Sequence, residues 1–504
     1  MSTDRRRWTA LIVLCTGMLM IVLDVTVVNV ALSAIRDDLH FSEAGLAWVV
    51  NAYMIAFGGL LLLAGRLGDL LGRRRIFLTG LTVFTVASMA CGLAQDKGVL
   101  IVARFVQGVG GALTSAVILG MIVTLFPEPR EQARAIGAFA FVASAGGAVG
   151  LLAGGVLTQA LDWHWIFFVN LPIGVVTGAL ALRYVDRDEG TLRATLASEP
   201  LESRLGSSER NEGESNDGMD VLGALTVTAA LMLGVYAIVG PASTDGWTAP
   251  TTLWFGAGSV ALLALFVVRE QTAANPLVPL SIFRSRNVTG ANLIQVAGAA
   301  GMFGIFFLGS LYLKGVLGYG ALQIGLAFLP TTLLMAALSV RYTEPLVTRF
   351  GARPVVVAGL VLITAGLVAF TRAPVHGGYV LHVLPPVALL GIGSGLAFPA
   401  LMTLAMSGVR PQEAGLASGL VNTTAEVGAA LGLAVLSTLS ASHTAALERA
   451  GRAAKPAMLY GYHLAFWVAA GLVAAAVVIA LAVLKPVVSA AAEEPEPELA
   501  LEAA

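Results

Sequence analysis

Fourteen apolar stretches, each about 20 residues long, recur along this 504-residue chain and dictate most of what it can become. They begin near residues 8, 46, 75, 99, 133 and 164, and again near 220, 251, 288, 321, 354, 380, 413 and 458. A helix rising about 1.5 Å per residue needs roughly 20 residues to cross about 30 Å of hydrocarbon, and a backbone in hydrocarbon must satisfy its hydrogen bonds internally. With 57% hydrophobic and 12% charged residues and a mean hydropathy of +0.83, the chain is too apolar for a water-soluble globule. These observations predict an all-α polytopic membrane protein. An even number of spans places both termini on one side.

The side is set by the basic residues. The stretch 65–75, GRLGDLLGRRR, falls between two apolar runs and reads as a charged loop of eleven residues in water. Of the 30 lysines and arginines, 22 fall on the side of that stretch, seven on the other, and only Arg104 inside a span. The asymmetry predicts cytoplasmic termini in a multi-pass protein of the cell membrane. A formal net charge of −1 says nothing about partners because the charges are sorted by side, and no basic patch points to nucleic acid. Cys15 and Cys91 lie in apolar windows, the six histidines lie near span ends or in loops, and no GxxxxGK[ST] phosphate loop occurs. The chain therefore offers no metal centre, no catalytic constellation for a membrane-embedded enzyme or sensor, and no ATP-driven pump.

Charged residues inside spans need a physical reason, because each costs about 3 kcal/mol on insertion scales. In the first span Asp24 stands in LDVTVVNVALS with Asn29 nearby; a proton that neutralises it, or hydrogen bonds to neighbouring helices, would supply the reason. In the fourth span, RFVQGVGGA places Arg104 at nearly the depth of Asp24, with Gln107 one turn further in and small residues beyond. A long arginine could instead snorkel to the outer surface. Asn51 and Tyr53, in WVVNAYMIAFGG of the second span, are candidates for a cavity lining, and aromatic residues there also suit the outer interface. Trp163 and Trp165 read as an interfacial belt. Glu426, in VNTTAEVGAALG of the thirteenth span, is the second acid near mid-membrane, with Asn422 one turn away as a potential hydrogen-bond partner. Asp24 is assigned the principal proton, and Glu426 a second proton site or a contact for substrate. In the fifth span Gly146, Gly150 and Gly154 recur every four residues and share one face, which lets another helix approach closely.

The chain also repeats itself. FGARP at 350–354 echoes LGRRR at 71–75 at an offset of 279, GIGSGL at 391 echoes GVGGAL at 108 at 283, and Gly428 and Gly432 echo Gly146 and Gly150 at 282. In the second copy Thr348 stands where the first has Asp69, so the halves are unequal.

Four of these stretches together resemble the major facilitator superfamily, and within it the 14-helix drug:proton antiporters. Gly65, Asp69, Gly72, Arg73 and Arg74 match its signature between the second and third helices; Asp24 and Asn29 match its first-helix motif, with Ser33 where proline is usual. Arg104, Gln107, Gly108 and Gly111 match the fourth-helix motif. Gly146, Gly150, Gly154 and Gly155 match the antiporter motif, with Leu151 where that motif has proline. In the thirteenth helix Ala425 stands where a basic residue is common. The resemblance implies a major facilitator fold of 14 transmembrane helices: a six-helix bundle over 1–185, a disordered cytoplasmic linker over 186–219, two inserted helices over 220–270 that carry no buried charge, a second six-helix bundle over 271–485, and an acidic disordered tail over 486–504. It further implies a monomeric exporter of lipophilic or cationic drugs and antibiotics, driven by the proton gradient with no cofactor, in which Asp24, Arg104 and Glu426 couple protons to substrate. Gly65, Asp69, Gly72, Arg73 and Arg74 would form a cytoplasmic gate, with Asp69 capping the thirteenth helix near 411–415. An exporter of an endogenous metabolite, lipid or amino acid is the alternative reading.

Overall fold

The structure, a computed structural model, describes residues 3–186, 220–273, 276–407 and 414–485. The linker (but for Asp186), the acidic tail and the segment 408–413 therefore lie outside the described residues. Among those described, helices dominate. We number the long ones α1 (Thr3–Leu39), α2 (Glu43–Leu71), α3 (Arg73–Gly92), α4 (Lys97–Leu125), α5 (Pro129–Ala160), α6 (Trp165–Tyr184), α7 (Val221–Val239) and α8 (Pro250–Thr272). The series continues with α9 (Arg286–Gly315), α10 (Ala321–Arg341), α11 (Ala352–Phe370), α12 (Leu384–Met406), α13 (Ala414–Arg449) and α14 (Ala454–Ala482). Thirteen of them contain a segment long and apolar enough to cross a membrane; α5 is the fourteenth, its continuous apolar part at Gly146–Ala160. Short polar side chains start several: Ser42 accepts from Gly45 N at 3.0 Å, Asp96 from Val99 N at 3.0 Å and Asp220 from Gly223 N at 2.8 Å. Proline stands in the first turn of α5 and α8, where its missing N–H is not needed.

Helices α1–α6 pack as one bundle and α9–α14 as a second with the same pairings. In the first, α1 packs on α5 and α6, α4 on α2 and α3, and α3 on α6; in the second, α9 packs on α13 and α14, α12 on α10 and α11, and α11 on α14. The glycine echoes mark equivalent contacts. A Cβ on Gly108 would lie 2.4 Å from Tyr53 O on α2, and one on Gly391 would lie 2.6 Å from Thr331 O on α10. On the other face of the same helices, Gly110 meets Phe84 of α3 and Gly393 meets Gly359 of α11. The internal repeat thus corresponds to two six-helix bundles, as the offsets predict. They meet along two seams, α2 with α13 and α5 with α10. The inserted pair α7–α8 lies against the α2–α13 seam through α7, which makes the two seams unlike each other.

Two expectations need correction. The stretch 65–75 is not a loop of eleven residues: α2 runs through Leu71, α3 begins at Arg73, and Gly72 alone reverses the chain at φ 98°, ψ 125°. Its counterpart Gly351, at φ 84°, makes the same reversal before α11. The arginines then have partners at helix ends instead of water alone: Arg73 Nη1 donates to Gly120 O (2.9 Å) and Thr124 Oγ1 (3.0 Å) of α4, and Arg74 Nη2 donates to Leu182 O of α6 (2.6 Å). Cations near helix C-termini complement the dipole. Since only glycine adopts this backbone without strain, Gly72→Ala is expected to destabilise the protein by about 1–3 kcal/mol, read as a lower midpoint in thermal unfolding of the detergent-solubilised protein. An unchanged midpoint would contradict the hinge assignment. The second correction concerns the inserted pair, which does carry buried charge, at the start of α7 and the end of α8. Asp220 and Glu270 are each 3% exposed, Arg269 Nε donates to Asp220 Oδ1 at 3.0 Å, and Val278 N donates to Glu270 Oε2 at 2.9 Å. That last bond pins the segment before α9, whose Leu277, Val278 and Ile282 are buried with Leu63 of α2 and Leu420 of α13.

Candidate functional site: a buried charge cluster in the first bundle

Asp24 and Arg104 meet. The carboxylate is fully buried, the guanidinium is 1% exposed, and Arg104 Nη1 donates to Asp24 Oδ2 at 2.6 Å. Arg104 therefore points inward to its counter-charge, which overturns the snorkelling alternative. Its Nε donates to Val49 O of α2 at 2.9 Å, and Nη1 also donates to Gln107 Oε1 at 2.7 Å. Tyr53 closes the cluster from α2, its ring centroid 4.4 Å from the guanidinium carbon, with Phe167 at 5.8 Å on another side. Tyr53 is 1% exposed, so it is a wall of this cluster and not an interfacial anchor.

Asp24 Oδ1 has two further donors: Gln107 Nε2 at 2.7 Å and Asn170 Nδ2 at 2.9 Å. Asn170 was not among the sequence candidates. It follows a turn at Val169 that divides α6 into Trp165–Phe168 and Asn170–Tyr184. The same Nδ2 donates to Ser88 Oγ of α3 at 3.0 Å, and Ser88 Oγ donates to Phe167 O at 2.9 Å, satisfying a carbonyl beside that turn. Five helices, α1, α2, α3, α4 and α6, thus contribute side chains to one polar cluster inside an apolar bundle. An asparagine alone in FFVNLPI was the only available signal. Next to it, Trp163 is 3% exposed and donates Nε1–H to Asp38 Oδ2 at 2.9 Å, so of the two tryptophans expected in the interfacial belt only Trp165, 46% exposed, is at the surface.

The glycine stripe holds the helix that carries Asp24. A Cβ on Gly150 would lie 1.8 Å from Thr26 Oγ1, and one on Gly154 would lie 3.0 Å from the Val27 backbone; Gly146 packs on Leu19 and Val22. Gly155 faces the other way, where a Cβ would lie 2.7 Å from Leu322 Cα of α10. The four glycines therefore serve two contacts, three on α1 within the first bundle and one across the α5–α10 seam.

The second acid is placed elsewhere. Glu426 is half-buried on α13, and a Cβ on Gly58 of α2 would come within 2.6 Å of its Cβ. It lines the α2–α13 seam and has no described hydrogen bond to the Asp24 cluster. Asn422 is exposed, and no hydrogen bond joins it to Glu426 among the described residues. Asn29 donates to Val25 O of its own helix at 3.1 Å. Asn51 is fully buried with neither amide atom hydrogen-bonded. Gly65 has open space around it. The Asp69 side chain and the segment 411–413 lie outside the described residues, so the capping contact expected there has no described geometry.

A buried pair of this kind is costly to form and more costly to break, because either charge left alone in the bundle is uncompensated. A proton on Asp24 would cancel one of the two charges. The arrangement is thus chemically suited to exchange a proton for a rearrangement of helices.

Comparison with known proteins identifies the family. The family description Major Facilitator Superfamily matches residues 14–433. The chain is 38% identical to the puromycin resistance protein of Streptomyces alboniger over 88% of its own length and 84% of that protein. It is 37% identical to the cephamycin export protein of Amycolatopsis lactamdurans over 97% and 94%. Among solved structures, a bacterial homologue of the human lysosomal transporter Spinster, inward-facing and unoccupied, superposes with a TM-score of 0.64 at 16% identity, covering 94% of this chain and 96% of that one. The chain belongs to the Major Facilitator Superfamily, in its branch of 14-helix drug antiporters.

Proposed function

We propose that this protein exports antibiotics and other lipophilic or cationic compounds in exchange for protons, by alternating access at the seams between its two bundles. The observation that carries the reading is the Asp24–Arg104 pair, 2.6 Å apart and withdrawn from solvent in a helix bundle with no other described ion pair in its interior. Asp24 holds the transported proton. When it is protonated the attraction to Arg104 is lost, and when it is ionised the pair draws α1 and α4 together; each state favours a different helix arrangement. The relatives named for puromycin resistance and cephamycin export support a drug as cargo. Inverted membrane vesicles with an acid interior, given puromycin and lincomycin, test the reading. Uptake that collapses with a protonophore is expected; uptake that survives the protonophore and needs ATP would contradict it.

Glu426, at the α2–α13 seam, is assigned to the substrate or to a second proton. Glu426→Gln is expected to lower export of cationic compounds about ten- to a hundred-fold while sparing uncharged ones, because a charge-assisted contact contributes about 1.5–3 kcal/mol. Equal losses for both classes, measured as efflux rates, would move Glu426 out of the substrate path. The division into a first bundle, an inserted pair and a second bundle, acting as a monomer in the cell membrane with cytoplasmic termini, completes the reading. The basic-residue asymmetry supports the orientation. Cysteines placed in 186–219 should resist an impermeant thiol reagent applied to intact cells, and labelling from outside would reverse the topology.

A further inference from the structure

We propose that Asn170 is the proton-sensing partner of Asp24, its side-chain amide presenting N–H to the ionised carboxylate and turning over to present its oxygen when the carboxyl carries a proton. The inference rests on Asp24 being the proton site. A protonated carboxyl in a dry bundle must find an acceptor for its O–H, since an unmade buried hydrogen bond costs about 1–3 kcal/mol. Arg104 has no acceptor to offer. The oxygen of Gln107 is taken by Arg104 Nη1 at 2.7 Å, with Cys91 Sγ at 3.6 Å on its other side, so turning that amide over would set an NH2 against a guanidinium. Val49 O is taken by Arg104 Nε, and Phe167 O by Ser88.

Asn170 differs from all of these. It is fully buried, its Nδ2 lies 2.9 Å from Asp24 Oδ1, and its Oδ1 has no hydrogen-bond partner. The amide orientation is the one an ionised carboxylate requires, because the reverse would face oxygen to oxygen. In the reverse orientation the spare oxygen meets the new Asp24 O–H, and Ser88 Oγ, which now accepts from Asn170, has a rotatable hydroxyl to follow the change. Because Asn170 opens the second part of α6 and Ser88 lies on α3, the turnover transmits the protonation state of α1 to two further helices. The titratable groups facing Asp24 are Arg104 of α4, Tyr53 of α2 and Cys91 of α3, with Glu426 of α13 beyond Tyr53. The other vacant acceptor in the cluster is the Tyr53 hydroxyl, also without a partner, which packs one turn further in against Gly111 of α4, where a Cβ would lie 2.8 Å away.

Infrared difference spectroscopy of the full-length protein in lipid nanodiscs, between alkaline and acid buffer, reads the environment of the protonated carboxyl directly. The Asp24 C=O stretch is the band lost in Asp24→Asn. In the native protein it is expected at the low wavenumber of a hydrogen-bonded carboxyl, and in Asn170→Leu it is expected to move to higher wavenumber. Asn170→Asp keeps an acceptor oxygen and should leave the band low, the new carboxyl's own band being subtracted with the Asp24→Asn/Asn170→Asp double variant; this second variant keeps the test open should Asn170→Leu fold poorly. An upshift in Asn170→Leu that Tyr53→Phe does not reproduce supports the proposal. A band unmoved in Asn170→Leu, or moved by Tyr53→Phe instead, overturns it while leaving Asp24 as the proton site. If no band is lost in Asp24→Asn, Asp24 takes up no proton and both readings fall together.

Discussion

Replacing Asp24 with asparagine is expected to abolish uphill export while leaving substrate binding intact and independent of pH. The size of the effect follows from the energy available: one proton moving through about 150 mV supplies roughly 3.5 kcal/mol, enough to hold a substrate gradient of a few hundred-fold. Without the proton site that gradient falls to unity. Leaving the Arg104 charge uncompensated costs stability, but part of that cost is offset, because asparagine still offers Arg104 a carbonyl oxygen and the guanidinium retains Gln107 Oε1, Val49 O and the Tyr53 ring. Steady-state accumulation of a fluorescent cationic dye in energised cells, together with dye binding to purified protein across pH, measures both halves of the expectation. A variant that still builds a protonophore-sensitive gradient would move the coupling role to Glu426.

Removing the other partner should damage the fold first. Arg104→Leu leaves Asp24 with only Gln107 and Asn170 as donors in a site that excludes solvent, and breaking a buried pair from one side costs about 3–5 kcal/mol. The double variant Asp24→Asn/Arg104→Leu removes both charges and is expected to recover most of that stability without recovering transport. Thermal unfolding of the three proteins in detergent, with a transport assay of the rescued one, separates the cases, since a structural pair and a coupling pair predict the same loss for the single variant but only coupling leaves the rescued protein inactive. Equal instability of the single and double variants would mean that the cost arises from lost packing around Arg104 and not from an orphaned charge.

The sequence made the membrane architecture legible because hydrocarbon imposes a length and a polarity that recur in every span. It also exposed Asp24 and Arg104, since an ionised residue in an apolar run has few physical excuses, and their matched depths anticipated the contact now seen at 2.6 Å. Asn170 escaped for a complementary reason: a neutral amide near a span end is common, and its value lies in facing α1 from α6, a relation between residues 146 positions apart that no local pattern encodes. The hinge was misread because a run of glycines and arginines describes a water-facing turn equally well whether the helix stops at Ala64 or at Leu71; the difference lies in the arginines finding carbonyls at the ends of α4 and α6. Asp220 and Glu270 were overlooked because acids at the ends of apolar windows normally face water, and here the segment before α9 folds back over them. The repeat, by contrast, was readable in outline from three short echoes because close helix contacts demand glycine at equivalent places in both bundles.

The most direct test of the account is proton counterflow. Purified protein is reconstituted into liposomes containing a trapped pH-sensitive dye, a puromycin gradient is imposed with no ATP and no membrane potential, and the interior pH is followed. Puromycin moving down its gradient should drive protons the opposite way in the native protein, and that proton flux should vanish in Asp24→Asn. Puromycin crossing with no change of interior pH, or a native-sized proton flux in Asp24→Asn, would contradict the claim that this buried carboxylate couples protons to export.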